Sequence, residues 1–597
     1  MVMETVGHEE DVDRYAKPQR WAINFSNGLE YVNTIAALHR GELRIYDTPA
    51  PKFSPERFEW EQMESGESTP TVRFYIHSLK WLDQLIADGL SKSATADASA
   101  RLARDVAESW WIEASKGTWD DDEYVWGGHG FALRATTLTA LSELFPREGW
   151  LRSSIETHGA KLVSDFDGYW NHGLVQSLAL MCVAGRLGDD DALEIGSERA
   201  RSCLDVMVDE EGCINEQAPE YARYIERLLR VVIRVFRHNE ITGAEALNEK
   251  KQKIRNFIAH ALRPDFTFAE LGDSAPRSPS LIKDSPIEFV MTNGAVGAPI
   301  DRIGVYKGGF VFGRSGFGRE RPLKDETFYT LRFGPQRIIH GHNDHTSMTF
   351  WGSNREVIVD PGHVGYTPGK ERNYVRSHAA HNVMTVNGEK HDWSADTDLA
   401  KWRRGDAWQT YKFSDEGYAR FPRKRSVMFT DCGPFAVLDR VTNVGDPTTR
   451  YFSQRWNVSP EFEFEGSNSE AVFFRSSRDG TRFTLVRYRL ESPLKIHGQT
   501  ALDLAYGDHE RMLGLVARGD ELVPAWNVGF GHSGEQLTLF TVGFLSPAGS
   551  DDGWSFRIDG SGDPVFRVHI GPKSWAFALD LDEGEVQPKS IPVAPSI

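Results

Sequence analysis

The sequence predicts an α+β multidomain protein with a helical domain over residues 1–285 and an antiparallel β-sandwich over residues 286–597. From about residue 71 to residue 265, apolar residues recur with helical spacing. A passage rich in Gly, Pro and Ser then interrupts the pattern. Beyond this passage, apolar residues alternate with a period of two in short runs bounded by turn residues, which is typical of antiparallel strands.

The helical half consists of successive amphipathic or fully apolar segments separated by short polar or glycine-containing breaks. Several segments carry apolar residues on more than one face, which favours helices covered by neighbours in a layered ring or bundle. The predicted helices cover residues 71–89, 100–114, 129–145, 150–163, 172–187, 191–208, 219–238 and 244–262.

The second half is rich in β-branched and aromatic residues, grouped in runs of strand length. Turn residues separate successive runs, so a sandwich of antiparallel strands is expected. The clearest predicted strands lie within residues 308–316, 327–334, 347–352, 355–362, 381–389, 425–433, 435–444, 483–490 and 537–545.

Charge narrows the range of partners. The net charge of −18 argues against a nucleic-acid-binding protein, which needs a basic surface to displace counterions. Residues 301–430, however, contain 21 Lys and Arg against 15 Asp and Glu. A locally basic segment in an acidic protein suits an anionic substrate, although scattered solvated charges explain the same count.

The cysteines and the N-terminal sequence bear on the compartment. The four cysteines are widely spaced without metal-type pairing and are interpreted as reduced, buried thiols. Residues 1–21 contain no apolar signal region, and no apolar run reaches membrane-spanning length. We therefore expect a cytoplasmic protein with no membrane association, unless a signal peptide has been removed, in which case it is secreted or periplasmic.

Histidines cluster in the β half. Seven of the 19 histidines lie between residues 340 and 391, far above the average density. His340 and His342 share one face if their segment is extended, so one could bind a metal while the other faces a substrate. Asp360 ends an apolar strand and His381 opens the next one.

Two histidines and one aspartate form a nitrogen and oxygen ligand set that suits Zn²⁺, with Mn²⁺ or another divalent ion as an alternative. Spacing alone does not decide whether such a metal is structural or catalytic. The competing interpretation is a group of histidines that are hydrogen-bonded inside the sandwich without any metal.

Three further motifs stand out in the helical half. Asn171 and His172 begin a predicted helix, and Tyr221 and Tyr224 share one helix face because they are three residues apart. A glycine-rich segment and a later loop add polar and aromatic candidates, namely Trp126, His129, Arg134 and Asp273. Each alone is more often a cap or a core residue, but their joint presence with the histidine cluster favours a functional site.

Taken together, these motifs resemble the heparinase II/III-like polysaccharide lyases, over most of the chain. The most specific part of the resemblance is the histidine-rich series, and the helical half adds the Asn-His pair, the segment 216–221 and the loop around Asp273. The motif residues of the series are His340, His342, Asp344, Asp360, Gly362, His381 and Asn382. The resemblance implies an α/α-toroid, an incomplete α/α barrel, followed by an antiparallel β-sandwich.

The resemblance also implies functions for individual residues. Asn171 and His172 would contact and neutralise the carboxylate of a uronic-acid glycan. Tyr221 or Tyr224 would protonate the leaving oxygen and could also abstract the proton, and His340 would be the base or a carboxylate partner. The metal ligands, usually to zinc, would be His342, Asp360 and His381. The predicted substrate-binding residues are Trp126, His129, Arg134, Glu216, Gln217, Asp273, Tyr366, Arg376 and His378.

This reading predicts β-elimination, with a 4,5-unsaturated uronate in the product and an anionic poly- or oligosaccharide as substrate. Elimination needs the carboxylate next to C5 to be neutralised, and an acid and a base to move the protons. Three alternatives stay open: a zinc-dependent glycan hydrolase, a glycoside hydrolase that recruits two carboxylates from among Glu216, Glu270 and Asp273, and a glycan-binding protein without catalysis. The sequence does not predict the glycan, endo or exo action, or the oligomeric state. We expect the site to exist only where the two domains meet.

Overall fold

The computed structural model describes residues 33–45, 48–49, 52–54, 58, 60, 70–120, 122–335, 337–491, 496–497, 500–558 and 564–591. The N-terminal segment on which the expected compartment depends, residues 1–21, lies outside these ranges. Within them, no helix is both long enough and apolar enough to cross a membrane.

The chain divides into two compact units. One unit comprises Met1–Asp209 and Tyr224–Gln252, and the other comprises Glu210–Arg223 and Lys253–Ile597. The segment 210–223, which includes the first residues of the helix Tyr221–His238, thus groups with the β-rich part of the chain. The domain boundary predicted at residue 285 stays a prediction.

Helices dominate the first half of the chain, as predicted. The α-helices in the described ranges are α1 (Ile35–His39), α2 (Pro70–His77), α3 (Asp83–Gly89), α4 (Ala96–Ala114), α5 (Glu123–Trp126), α6 (Gly130–Leu144), α7 (Gly149–Ser164), α8 (Asn171–Leu187), α9 (Asp190–Met207), α10 (Tyr221–His238), α11 (Ala244–Ala261), α12 (Pro286–Met291) and α13 (Lys370–Val375), with 3-10 turns at Lys80–Leu82, Leu323–Asp325 and His378–Ala380.

Burial separates two kinds of helix. Helices α6 and α8 are buried over almost their whole length, whereas α4 and α9 bury one face. A helix that is covered on all sides must have helices around it, so α6 and α8 are inner elements and the amphipathic helices are outer ones. Gly188, in the left-handed conformation, ends α8, and the Asp189 side chain then caps α9 by accepting from the Ala192 amide.

One predicted helix is wrong in its continuity. The segment 71–89 is broken into α2, a 3-10 turn and α3. The break falls at Leu79, which is fully buried and has a left-handed φ of 52°. A β-carbon in this conformation clashes with the helical path, so burial of the Leu79 side chain outweighs the local cost and the helix restarts beyond it.

Strands form the second half, again as predicted, and the structure adds a pair of two-residue strands in the first half. Their bounds are β1 (Arg44–Ile45), β2 (Thr48–Pro49), β3 (Ile303–Tyr306), β4 (Phe310–Arg314), β5 (Phe328–Arg332), β6 (Met348–Gly352), β7 (Arg355–Ile358), β8 (Met384–Val386), β9 (Thr397–Arg404), β10 (Trp408–Asp415), β11 (Arg423–Thr430), β12 (Phe435–Thr442), β13 (Arg450–Val458), β14 (Phe462–Ser467), β15 (Ala471–Ser476), β16 (Arg482–Leu490), β17 (Ile496–His497), β18 (Ala501–Tyr506), β19 (Leu515–Arg518), β20 (Glu521–Pro524), β21 (Trp526–Gly534), β22 (Gln536–Ser546), β23 (Asp552–Ile558), β24 (Pro564–Ile570), β25 (Lys573–Asp580) and β26 (Glu585–Ser590).

Two large antiparallel sheets form the sandwich. One has the order β14-β15-β16-β22-β12-β11-β10-β9, with β17 beside β16, and the other has the order β18-β21-β13-β7-β6-β5-β4-β3, with β8 beside β13. Their facing side chains share one apolar core, to which Phe350 and Trp456 contribute from one sheet and Phe429 and Phe483 from the other. The predicted fold class, a helical toroid followed by an antiparallel β-sandwich, is confirmed.

A third sheet, which the sequence analysis did not separate from the sandwich, covers one outer face. Strands β23 to β26 form a four-stranded sheet, and a second apolar core joins their side chains to Met428, Leu438 and Phe540. Successive residues of a strand point to opposite faces, so Val427 and Phe429 enter the sandwich core while Met428 enters the outer core. The C-terminal half of strand β11 is therefore apolar on both faces.

The end of α11 carries a buried histidine whose protonation couples stability to pH. The ring nitrogens of His260 lie 2.7 Å from the Tyr306 hydroxyl and 3.0 Å from the Asp301 carbonyl oxygen. The Asp301 carbonyl can only accept, so Nε2 donates to it, and in a neutral ring Nδ1 accepts from the Tyr306 hydroxyl. Burial lowers the pKa of His260 to about 4.

Lowering the pH should therefore weaken the fold at this position. The folded pKa is below the unfolded value of about 6.5, so the stabilisation is complete above that value and is lost as the pH falls towards 4, by about 2 kcal/mol at pH 5. The difference in unfolding free energy between the wild type and His260→Gln should narrow by about this amount from pH 7 to pH 5 in urea denaturation. A difference that stays constant would show that His260 does not titrate on unfolding.

Candidate functional site

Three loops of the β-rich unit cross next to His340. The backbone amide of Asp273 donates to the His340 carbonyl at 2.9 Å, and the amide of His340 donates to the Glu216 carbonyl at 3.3 Å. Gly272 has a φ of 56°, and a β-carbon there would lie 2.5 Å from the His340 carbonyl oxygen. Only glycine permits this close approach. Backbone contacts therefore hold His340 in place independently of its side-chain contacts.

Tyr221, the first residue of α10, forms an aromatic group with His340 and Tyr366. The rings of Tyr221 and His340 stack, with their centroids 4.0 Å apart and an interplanar angle of 20°. The hydroxyl groups of Tyr221 and Tyr366 are hydrogen-bonded to each other. Tyr366 is 56% exposed, whereas Tyr221 is half-buried. The group therefore runs from a covered histidine to a tyrosine that is open to solvent.

The Asp273 carboxylate holds the inner side of this group. His340 Nδ1 lies 3.0 Å from Oδ2, and His342 Nε2 lies 3.0 Å from Oδ1. Arg372 donates to both oxygens, and His363 Nδ1 lies 3.1 Å from Oδ1. Burial raises the pKa of Asp273, but these four partners outweigh it and hold the pKa far below its usual range, so Asp273 is ionised.

The electrostatics keep Tyr221 protonated in the free protein. Burial raises the pKa of Tyr221, and the hydrogen bond with Tyr366 raises it further. Glu216 Oε2 lies 3.6 Å from His340 Nε2, and burial raises the pKa of Glu216. Tyr221 can thus serve as a proton donor, beside a histidine whose Nε2 faces a carboxyl group.

A second group, deeper in the unit, has the composition of a metal site. Among the described residues, ligand atoms of His342, Asp360 and His381 all lie within 4.8 Å of one another. Within the described residues, three buried atoms of this group have no hydrogen-bond partner, namely His342 Nδ1, Asp360 Oδ2 and His381 Nε2. Three converging buried acceptors without donors are what a bound cation would satisfy.

The other polar atoms of the three residues are already engaged. His342 Nε2 contacts Asp273 at 3.0 Å, His381 Nδ1 contacts the Ser377 carbonyl at 2.8 Å, and Asp360 Oδ1 accepts from the Gly362 amide at 3.1 Å. Such outer contacts fix the histidine tautomers and leave the inner nitrogens free for a metal. Burial lowers the pKa of His381 to about 3 and lowers that of His342, so both rings are in the neutral form that binds metals.

Two further motif residues, Asp344 and Asn382, are buried and hydrogen-bonded to neighbouring parts of the protein. The Asp344 carboxylate accepts at 2.8 Å from each of Arg332 and Arg337, and all three side chains are fully buried. The Asn382 side chain donates to the carbonyls of Met348 and Val359 and accepts from the Asn457 amide. Asp344 and Asn382 are therefore structural members of the motif.

In the helical unit, the predicted Asn-His motif lies where α8 begins. The ring centroids of His172 and His129 are 4.1 Å apart, and the His172 side chain is 53% exposed. Gln176 fixes this region by accepting from the Asp167 amide and donating to the Gly128 carbonyl. Burial lowers the pKa of His129 to about 3 and lowers that of His172. Asn171, His172 and His129 are thus brought together.

The structure places Arg134 and His378, two predicted substrate-binding residues, among protein partners. Arg134 is fully buried, donates to the carbonyls of His77 and Val125, and lies 3.9 Å from the Trp110 ring centroid. His378 is also buried and is held by the Asn343 carbonyl. Burying an arginine or a histidine requires protein partners for its polar atoms. The substrate contacts of both residues stay predictions.

Gln217 and Asp273 are likewise buried and held by protein partners, and their substrate contacts stay predictions. Gln217 is 3% exposed and its side-chain oxygen accepts from the Ile338 amide, which ties two of the crossing loops together. Asp273 is 2% exposed and fully engaged by the partners described above.

Three other residues predicted to belong to the site, Trp126, Arg376 and Tyr224, differ in their contacts. Trp126 is half-buried and contacts the Arg134 guanidinium, and Arg376 lies 5.1 Å from the centroid of the Trp393 ring. Tyr224 lies one turn beyond Tyr221 in α10, in the part assigned to the helical unit. Of the two tyrosines, Tyr221 is the one that stacks on His340.

Sequence reasoning missed Arg372 and gave His363 no function. Both contact Asp273, and Arg372 also lies 5.5 Å from the centroid of the Tyr366 ring. Arg372 and Arg376 are four residues apart around the short helix α13, and nothing in the sequence ranks one above the other. The pairing of Arg372 with a residue 99 positions away is visible only in the structure.

Solved structures show the same architecture. Heparan sulfate lyase HepC from Pedobacter heparinus is similar with a TM-score of 0.73 at 15% identity, over 96% of this chain and 94% of that chain. A structure of heparinase III is similar with a TM-score of 0.67 at 13% identity, over 97% and 92% of the two chains. The fold is thus that of the heparinase lyases.

The family comparison is specific to the β-rich part. Residues 306–563 match the family described as "Heparinase II/III-like, C-terminal". This segment is therefore a heparinase II/III-like C-terminal domain, which confirms the resemblance predicted from its motifs. No curated protein sequence matches the chain.

Removing one candidate ligand should remove a bound metal. Wild-type protein dialysed against zinc should retain about one ion per chain, and His342→Ala should lose it, because two ligands hold zinc much more weakly than three. Elemental analysis of the dialysed proteins measures this. The matched control is His378→Ala, another buried histidine of the same unit, which should lower the melting temperature and keep the ion. Equal zinc content in wild type and His342→Ala would exclude this ligand set.

Proposed function

We propose that this protein is a polysaccharide lyase that cleaves a uronic-acid-containing glycan by β-elimination. The observation that carries the proposal is the stack of Tyr221 on His340, with the Tyr221 hydroxyl bonded to the exposed Tyr366. It supplies a proton donor and a proton acceptor side by side, within the fold of the heparinase lyases. Related structures described as heparan sulfate lyase and heparinase III make heparan-type glycans the first substrates to test.

His340 is assigned as the base. Its Nδ1 donates to the ionised Asp273, so in the neutral ring the lone pair is on Nε2. Nε2 removes the proton from C5 of the uronate. The electrons of the C5–H bond then form a double bond between C4 and C5, and the bond from C4 to the glycosidic oxygen breaks.

Tyr221 is assigned as the acid. Its raised pKa keeps the hydroxyl protonated until the leaving oxygen develops negative charge, and the proton then moves from Tyr221 to that oxygen. The resulting phenolate accepts the hydrogen bond of Tyr366, whose exposed side chain connects it to solvent protons. One proton leaves carbon and one reaches oxygen, so no water is consumed and the product contains a 4,5-unsaturated uronate.

The metal is proposed as a structural element. His342, Asp360 and His381 would hold Zn²⁺ or a similar divalent ion, and its chemistry there would be to neutralise the buried Asp360 and lock the loops that carry His340. All three residues are at most 4% exposed. A hydrolase that activates water on this metal would need a solvent path to it, so burial disfavours the zinc-dependent hydrolase.

Asn171 and His172 are proposed to neutralise the substrate carboxylate, as the family resemblance implies. An amide and an imidazole can donate to a carboxylate without a permanent ion pair, which suits an intermediate whose charge moves from carbon onto the carboxyl oxygens. The exposure of His172 is compatible with this assignment.

The first test follows the conjugated double bond. The protein is incubated with heparan sulfate, hyaluronan, alginate and other uronate glycans while the ultraviolet absorbance of the unsaturated uronate is recorded. We expect absorbance to rise with at least one glycan, because elimination creates the chromophore and hydrolysis does not. Chain shortening without a rise in absorbance would overturn the lyase in favour of the hydrolase, and binding without shortening would favour a glycan-binding protein.

The second test separates the two tyrosines. Tyr221→Phe removes only the hydroxyl and should lower kcat by about 10²- to 10⁴-fold, the range for a general acid. Tyr224→Phe is the comparison one turn away. Tyr411→Phe is the matched control, because its hydroxyl also pairs with a tyrosine, Tyr329, inside the same unit. Full activity in Tyr221→Phe together with loss in Tyr224→Phe would reverse the assignment.

A further inference from the structure

One buried carboxylate connects the candidate base to the candidate metal site. Asp273 Oδ2 lies 3.0 Å from His340 Nδ1, and Oδ1 lies 3.0 Å from His342 Nε2. The Asp273 side chain is fully buried. His340 and His342 thus bind different oxygens of the same group.

The carboxylate determines which nitrogen of each ring carries hydrogen. An ionised carboxylate only accepts, so His340 must donate from Nδ1 and His342 must donate from Nε2. In neutral rings the lone pairs are then on His340 Nε2, the nitrogen assigned as the base, and on His342 Nδ1, a buried nitrogen without a hydrogen-bond partner in a residue of the candidate metal cluster. A single group therefore selects the reactive atom in one histidine and the ligand atom in the other.

The carboxylate has little freedom to move. Its backbone amide donates to the His340 carbonyl at 2.9 Å, and the preceding Gly272 packs against that carbonyl. On the opposite side, Arg372 donates to both carboxylate oxygens in the bidentate arrangement that fixes orientation as well as distance. The same fixed group accordingly orients both rings, so a change that displaces the carboxylate displaces His340 and His342 together.

We propose that Asp273 is a positioning residue that couples metal binding at His342 to the orientation of His340. The part concerning His340 rests on the proposed lyase function, and the part concerning His342 does not. Under this proposal the metal supports turnover from a distance, by holding His342, and through it Asp273 and His340, in one arrangement. A metal ligand and a base would otherwise be independent of each other.

The competing explanation is that Asp273 is an ordinary buried ion-pair partner. The same unit provides a matched example in Asp415, which is buried and accepts from His391 at 3.2 Å and from Arg423. Asp415 thus has the same classes of partner, but none of them is a candidate ligand or base. Asp415→Asn should lower the melting temperature while leaving zinc affinity and kcat within about threefold of the wild type.

The decisive variant is Asp273→Asn in the full-length protein. Asparagine offers one acceptor oxygen and one amide donor, so it cannot accept from both histidines as the carboxylate does. Zinc affinity, measured by competition with a chelator and with zinc as the only added metal, should fall about 10- to 100-fold, as for other outer contacts of metal ligands. At saturating zinc, kcat should fall more than about tenfold while KM changes less than about threefold, because His340 is misoriented and substrate contacts are not.

A second, more conservative variant keeps the proposal testable if Asp273→Asn does not fold. Asp273→Glu keeps the charge and the pairing with Arg372 but displaces the carboxylate, so zinc affinity and kcat should fall together, to values between those of the wild type and Asp273→Asn. His340→Ala should abolish turnover and keep zinc affinity within about threefold, because Asp273 still holds His342.

The outcomes distinguish the two proposals. Unchanged zinc affinity in Asp273→Asn and Asp273→Glu overturns the inference, and so does a loss of zinc affinity with wild-type kcat at saturating zinc. Wild-type protein that forms no unsaturated product from any glycan overturns the proposed function. In that case the zinc measurements still decide whether Asp273 positions His342.

Discussion

The candidate site depends on keeping one carboxylate ionised away from water. Burying an unpaired carboxylate costs several kcal/mol, so Asp273 can be ionised only where enough donors converge on it. They come from segments that are distant in sequence, namely His340, His342, His363 and Arg372. The loops that carry the candidate base, the candidate metal ligands and α13 are thus organised around a single charge.

Other buried carboxylates of the same unit are paired with arginines, and the candidate metal cluster differs from them in this respect. Asp344 is paired with two arginines, and Asp439 is paired with Arg425 in a bidentate arrangement. Around Asp360 the arrangement differs, because burial and the neighbouring negative charge of Asp344 raise the pKa of Asp360 well above its usual range. The arginines of this region neutralise Asp344, and a cation beside His342 and His381 would do the same for Asp360.

The sandwich supplies the rigidity on which this arrangement relies. Strand β11 sends alternate side chains into two cores, one between the large sheets and one beneath the four-stranded sheet. Arg425 on the same strand donates to the carbonyls of Thr346 and Asn382, which flank the loops carrying the candidate metal ligands. The loops thus rest on a doubly packed strand, and small displacements of His342 or His381 are resisted by the core.

The sequence by itself determined the order of helices and strands, because periodicity of apolar residues is a local property. It also determined the candidate ligands His342, Asp360 and His381, because their residue types and spacing follow a motif. Only the tertiary structure decided that Arg134, Gln217, Asp273 and His378 contact protein, since burial depends on distant neighbours. It alone placed Tyr221 against His340 and Arg372 on Asp273, because contacts across 99 or more residues leave no trace in local spacing.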